Sequence, residues 1–198
     1  MAPRPSLPSA GTYVHRVDRA LLIEYFNDAW ADFARQNGVA DLPHRVLGTS
    51  LLDHVSGALV KHFTRELVRR ARATRTGLTV PVRCDGPHVR RLMSMRIVPR
   101  RGGRTEFVAT LVAEEPRAPQ PFFDPSSPRS DALVFRCSWC SRVRVGEERW
   151  MELEDALGVS EALRRWPPPR AGHTVCADCF RGLIEETRVA LPEWYIWR

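Results

Sequence analysis

Apolar and polar residues alternate along the first part of the chain in two patterns, one typical of strands and the other typical of helices. A period of two predicts short strands at residues 13–17 and in the LLIEYF run that follows. A helical period comes next, with Asn27 or Asp28 as its cap and with Trp30 and Phe33 on its apolar stripe. We expect that stripe to face the core.

A longer amphipathic helix is predicted after the VLGTSLLDHV segment and is expected to end at Gly77. Its inward-facing residues share helical spacing and are Leu59, Val60, Phe63, Leu67 and Ala71. Three strands follow, LTVPVRC, VRRLMSMRIV and TEFVATLVA, which are separated by the turn signals DGP and GG. This order predicts an α+β fold in which an antiparallel five-stranded sheet carries helices on one face.

The chain is expected to divide at residues 116–130, a proline- and serine-rich segment whose composition predicts an extended linker. A flexible N-terminal tail, residues 1–11, and a first domain, residues 12–115, precede it. Residues 131–198 form a second module, which contains four of the five cysteines.

Two CxxC pairs carry the strongest chemical signal in the sequence. Cys137 and Cys140 form the first pair, and Cys176 and Cys179 form the second, 35 residues further on. Thiolates at this spacing can hold one tetrahedral Zn²⁺, and four of them leave no open position on the metal. The sequence therefore predicts a structural zinc site, with His173 as a residue that orients a ligand or, alternatively, as an ordinary turn histidine.

The second module has the elements that such a site needs. A strand is predicted before the first pair and another in the RVRV run, and the second pair opens the helix CADCFRGLIEETRVAL. The positive end of a helix dipole stabilises thiolates, which favours a zinc-stabilised, treble-clef-like module. A redox-active pair and a coincidence of buried cysteines remain as alternatives.

Charge and hydropathy narrow the class of protein further. The 198 residues include 30 basic and 23 acidic side chains, and the formal net charge is +7. The whole excess lies before residue 116, with 18 basic against 11 acidic residues there. No apolar run is long enough to cross a bilayer, and the opening residues lack the apolar stretch of a secretory signal. We therefore expect a cytoplasmic protein that does not bind membranes.

The first domain resembles a PAS sensor domain in the order of its elements. The resemblance rests on YFNDAWADFARQNG, VLGTSLLDHVSG and RCDGPHVRRLMSMRIVP and covers about 100 residues. It implies a sensory or protein-interaction module with a ligand cavity between sheet and helices. The side chains that could line the cavity, or simply form the core, are Trp30, Phe33, Phe63, Met93 and Met95. No flavin signature is visible, and haem is not expected although His44, His54 and His62 lie near the helices.

The run FRCSWCSRVRVGEERWMELEDAL followed by HTVCADCFRGL is similar to a short cysteine-motif extension found after PAS domains in some bacterial sensory proteins. This second resemblance implies bacterial signalling as the context. The metal assignment rests on the thiol spacing alone.

These observations predict a non-catalytic sensory or adaptor protein that acts through a protein partner and can form a homodimer. No GxSxG, HExxH or phosphate-binding glycine loop is present, so we do not expect an enzyme. A nucleic-acid-binding transcriptional regulator, which would use the zinc module and the arginine-rich helix, is the alternative, and a CxxC thiol-redox sensor is a third reading. The aromatic terminus LPEWYIWR either covers a gap in a small core or binds a partner.

Overall fold

The computed structural model describes residues 11–188. It contains a five-stranded antiparallel sheet, a four-stranded mixed sheet and the α-helices that pack on them. The strands are β1 Thr12–Val17, β2 Ile23–Phe26, β3 Leu78–Arg83, β4 Val89–Pro99, β5 Thr105–Pro116, β6 Leu133–Cys137, β7 Val143–Val145, β8 Arg149–Met151 and β9 Arg170–Thr174. The α-helices are α1 Asp28–Gln36, α2 Leu42–Val46, α3 Ala58–Thr74, α4 Leu153–Val159, α5 Glu161–Arg164 and α6 Ala177–Thr187. The aromatic terminus lies outside the described residues.

The first sheet confirms the predicted α+β architecture. Its five strands run in the order β2-β1-β5-β4-β3, and every neighbouring pair is antiparallel. On β4, Met93 and Ile97 are buried while Leu92 is exposed, so one face of the strand packs on the core. Such a strand has one face on the core and one face towards solvent.

Both long helices of the first half form where the apolar spacing predicts them. The Asn27 side chain caps α1 by accepting a hydrogen bond from the Trp30 backbone N–H at 3.0 Å. Every predicted inward residue of α3 is buried, and Phe63 has no exposed surface. The predicted end of α3 at Gly77 was wrong. The helix ends at Thr74 because Arg75 adopts the left-handed conformation, with φ of 57°.

The segment that we expected to be an extended linker is packed against the second half. Residues Pro121–Phe123 form a 3₁₀ helix, and both Phe122 and Phe123 are buried. They join a small core cluster with Val134, Val143, Leu153, Ala156 and Leu163. Proline and serine content predicts an irregular backbone, but it gives no weight to two adjacent phenylalanines, and their burial decides the local structure. The domain boundaries themselves remain a prediction.

The main core joins the two halves of the chain. It contains Val17, Phe63 and Leu67 from the first half together with Trp139 and Leu183 from the second. Part of the apolar surface of the second half therefore packs in the core of the first half, and the rest forms the separate cluster around Phe122 and Phe123. Among residues 11–188, no helix has both the length and the apolar composition that a bilayer crossing requires.

Candidate metal centre

The first CxxC pair lies in a tight turn between β6 and β7. Cys137 ends β6, and its backbone N–H donates to the Arg142 carbonyl at 2.8 Å. The Ser141 N–H donates to the Cys137 carbonyl at 3.0 Å, and Ser141 has a φ of 62°. This left-handed residue reverses the chain directly after Cys140, which leaves both thiols of the pair on the inside of the turn.

The second pair lies at the start of α6. Cys176 is the N-cap residue, and its sulfur accepts a hydrogen bond from the Cys179 N–H at 3.5 Å. The Cys137 sulfur accepts from the Cys176 N–H at 3.3 Å. Helix N-termini present free N–H groups and positive potential, and both stabilise a thiolate.

Parallel pairing of β6 with β9 brings the two pairs together. Cys137 lies opposite Thr174 in this register, so the chain that leaves β9 reaches Cys176 beside the first pair. The sequence shows the ligand spacing within each pair, but this long-range pairing is visible only in the fold.

The four sulfur atoms form a compact cluster. They all lie within 4.8 Å of one another, and the Sγ atoms of Cys140 and Cys176 are 3.7 Å apart. A tetrahedral zinc with four bonds of about 2.3 Å requires sulfur atoms about 3.8 Å apart. A disulfide would bring two sulfurs to about 2.05 Å, and all four cysteines are free thiols. The donor set and its spacing therefore fit one tetrahedral zinc ion.

Burial and acidity differ among the four thiols. Cys137 and Cys176 are buried, whereas Cys140 and Cys179 are partly exposed. Hydrogen bonds from the thiols of Cys140, Cys176 and Cys179 lower the pKa of Cys137. The pKa of Cys140 is raised by its hydrogen bond with Cys137, and the pKa of Cys179 is raised in the same way. The pKa of Cys176 is lowered to about 7, although its hydrogen bond with Cys137 acts in the opposite direction. A bound cation would replace the remaining protons, which makes metal binding at such a site pH-dependent.

His173 lies next to the first pair and contacts Ser138. Its Nδ1 is 3.3 Å from the Ser138 hydroxyl, and the Ser138 N–H donates to the Thr174 carbonyl at 2.9 Å. Burial, followed by the charge of Arg136, lowers the pKa of His173. The contact joins β9 to the loop that holds Cys137 and Cys140. A role of His173 in orienting a sulfur ligand stays a prediction.

Aromatic residues beside the cysteine cluster pack directly on α3 of the first half. The Phe63 ring meets the Trp139 ring edge to face at 6.1 Å and the Phe180 ring at 5.5 Å between centroids. Trp139 lies between the cysteines of the first pair, and Phe180 follows Cys179 directly. In addition, the Arg83 N–H at the end of β3 donates to the Trp139 carbonyl at 2.6 Å. These aromatic contacts were not predicted from the sequence, although a tryptophan inside a CxxC loop is a visible signal.

A buried network of ion pairs forms a second connection between the halves. The Asp85 and Arg117 side chains are only 1% and 3% exposed, and they pair at 3.1 Å. Arg117 also pairs with Glu154, and Arg83 pairs with Asp85 and with Glu152. We had interpreted Asp85 only as a turn residue, because spacing alone does not show which arginines reach it.

The five predicted pocket residues do not all belong to one cluster. Trp30, Phe63 and Met95 contribute to the main core. Phe33 instead packs on Tyr13, with 4.7 Å between ring centroids, and lies under the Arg91 guanidinium. Met93 is buried on β4. A ligand cavity between them stays a prediction.

The three histidines considered as haem ligands differ in their surroundings. His44 and His54 are exposed, and His54 Nε2 is 2.6 Å from the Thr49 hydroxyl. His62 contacts the Phe63 ring edge to face.

Comparison with known proteins assigns no family to the chain. No protein-family model and no curated protein matches the chain. Among solved structures, a domain of an HTR-like protein from Haloarcula marismortui matches with a TM-score of 0.38 and 15% identity. The match covers 52% of this chain and 98% of that domain. A likeness at this level says nothing about what this chain binds.

Proposed function

We propose that this chain is a non-catalytic sensory or adaptor protein in which a structural zinc ion stabilises a surface that binds a protein partner. The observation that carries the proposal is the cluster of four thiols within 4.8 Å, set in the shared core of the chain. Four sulfur ligands complete a tetrahedral zinc and leave no position for a reactive water molecule. Such a site serves folding and presentation.

The sensory part of the proposal rests on the first half. Its element order is strand, strand, helices, long helix and three strands, which is the order on which the resemblance to PAS domains depends. The second half has a hairpin turn with one cysteine pair and a helix start with the other, an arrangement that supports a treble-clef-like module. A bacterial signalling context and a cytoplasmic location, where thiols stay reduced, belong to the same proposal.

A protein partner is supported by exposed apolar side chains of the second half. Trp166 is 67% exposed, Leu133 is 55% exposed and Val159 is 56% exposed. Trp166 also borders a cavity of about 470 Å³ with an apolar lining that includes Leu157 and Leu163. Exposed tryptophans beside apolar pockets are frequent anchors of protein interfaces.

The proposal is tested by the metal content of the purified full chain and of single cysteine variants. We expect about one zinc per chain, and we expect Cys137→Ser or Cys176→Ser to lose the metal. Cys84→Ala is the matched control, because Cys84 is a free cysteine outside the cluster. It should keep its zinc. Replacement of zinc by cobalt should give the visible absorption bands of a tetrahedral thiolate site.

A thiol-redox sensor predicts a different result in the same samples. In that case the native chain would contain little zinc, and the four thiols would react with a thiol reagent without release of metal. Either finding would contradict the structural-zinc proposal.

A further inference from the structure

The four exposed arginines Arg19, Arg75, Arg96 and Arg101 come together at one end of the first half from separate parts of the chain; we call this set the arginine pole. They belong to the β1–β2 turn, the end of α3, strand β4 and the β4–β5 turn. Within residues 11–188, none of the four forms an ion pair. Their guanidinium groups are therefore available to an external anion.

Specific contacts hold these segments next to one another. The Arg72 guanidinium donates to the backbone carbonyls of Asp18 and Arg19 at 2.8 and 3.0 Å, which attaches the end of α3 to the β1–β2 turn. A Cβ atom at Gly103 would lie 3.4 Å from the Arg19 side chain, so the β4–β5 turn lies against the same turn. A Cβ atom at Gly77 would lie 4.0 Å from the Arg96 guanidinium.

Two carboxylates beside the arginine pole are already paired with other arginines, and Asp18, which precedes Arg19, accepts a hydrogen bond from the Leu22 N–H at 2.8 Å. Glu24 pairs with Arg16 at 2.6 Å and with Arg104 at 2.8 Å. Glu106 pairs with Arg100 at 2.6 Å and with Arg16 at 3.5 Å. Three arginines thus share two carboxylates, and the four arginines of the pole add four positive charges, of which Asp18 offsets one. The local potential is strongly positive.

We propose that the arginine pole binds the phosphate backbone of a nucleic acid. Guanidinium groups match phosphate oxygens in a bidentate geometry, and they retain their charge at any physiological pH. The tip of the β4–β5 turn is RGGR and has no apolar side chain that could enter a lipid bilayer. A phosphate polymer is therefore favoured over a membrane surface.

The pole is separate from the metal centre. Phe63 contacts the ring beside the second cysteine pair, and the end of α3 at Thr74 lies about 17 Å further along the helix axis at 1.5 Å per residue. The inference keeps the end of the arginine-rich helix from the alternative given above, which used both that helix and the zinc module, but it does not use the zinc module. It also stands independently of the proposed zinc site.

Fluorescence anisotropy with a labelled mixed-sequence DNA duplex of about 20 base pairs tests the proposal on the full chain. Four phosphate contacts predict a slope of about −3.6 in log affinity against log salt, which is about a 150-fold loss between 50 and 200 mM NaCl. The double variant Arg75→Gln/Arg101→Gln should reduce that loss to about 12-fold. Both residues are exposed and unpaired, so the variant should fold normally, as checked by its thermal unfolding curve.

The matched control is Arg149→Gln/Arg165→Gln, which changes the net charge equally through two exposed arginines of the second half. It should keep the salt dependence of the native chain. Absence of DNA binding at 50 mM NaCl would overturn the proposal, and so would equal effects of the two double variants. Binding to vesicles of phosphatidylcholine and phosphatidylserine, lost in the pole variant and without any binding to DNA, would also overturn it in favour of a membrane.

Discussion

Phe63 of α3 and Trp139 of the first CxxC loop meet edge to face with their ring centroids 6.1 Å apart. Phe63 has no exposed surface, and Trp139 is 8% exposed. The loop that carries two of the four thiols therefore contributes Trp139 to the core of the first half. Metal binding and folding of the first half should be one equilibrium.

Trp139→Ala should destabilise the whole chain. Removal of a large buried aromatic side chain costs about 3–5 kcal/mol in the free energy of unfolding. Trp166→Ala is the matched control, because Trp166 is 67% exposed and its loss should change that free energy by no more than about 0.5 kcal/mol. Urea unfolding of the zinc-loaded proteins, followed by circular dichroism, measures both. A Trp139→Ala protein as stable as the native chain would contradict the shared core.

Gly57→Ala should be much more disruptive than Gly38→Ala, although both glycines have positive φ angles of 90° and 79°. A Cβ atom at Gly57 would lie 2.1 Å from the His173 carbonyl oxygen, whereas one at Gly38 would meet nothing within 4 Å. Gly38→Ala should therefore show only the backbone cost of about 1 kcal/mol. Gly57→Ala must also separate α3 from β9.

Thermal unfolding of the two glycine variants measures this difference. Equal unfolding temperatures would mean that α3 and β9 can move apart without loss of stability, which would contradict the prediction.

His15 should make stability depend on pH. Its ring stacks on Phe107 at 4.7 Å, and its Nε2 is buried without a hydrogen-bond partner among the described residues. Burial lowers the pKa of His15 to about 4. The unfolded chain binds a proton near pH 6.5 and the folded chain only near pH 4, so stability falls as the pH drops between these values.

The free energy of unfolding is expected to be lower by up to about 3 kcal/mol at pH 4 than at pH 7. His15→Phe keeps the stacking and removes the titrating group, so the difference between the two proteins isolates this effect from protonation of the thiols. Denaturant unfolding across this pH range measures it. Parallel curves for the two proteins would show that His15 is not the cause.

Local sequence patterns predicted most helices and strands correctly, but they did not predict contacts between segments that are distant in sequence. The Asn27 cap, the inward face of α3 and the two CxxC turns depend on residues close in sequence, so spacing and propensity suffice. The β6–β9 pairing and the Asp85–Arg117 ion pair depend on how the halves pack. Composition gave a wrong prediction at Phe122 and Phe123, because proline and serine dominate the segment whereas its burial depends on the two aromatic rings.

Hydrogen exchange at the α3 amides, measured on the zinc-loaded full chain before and after a chelator is added, tests the central claim most directly. If the metal centre belongs to the core of the first half, chelation should reduce the protection of α3 around Phe63 together with that of α6. A chain that is purified without zinc, or one in which α3 keeps its full protection after zinc is removed, would contradict the account.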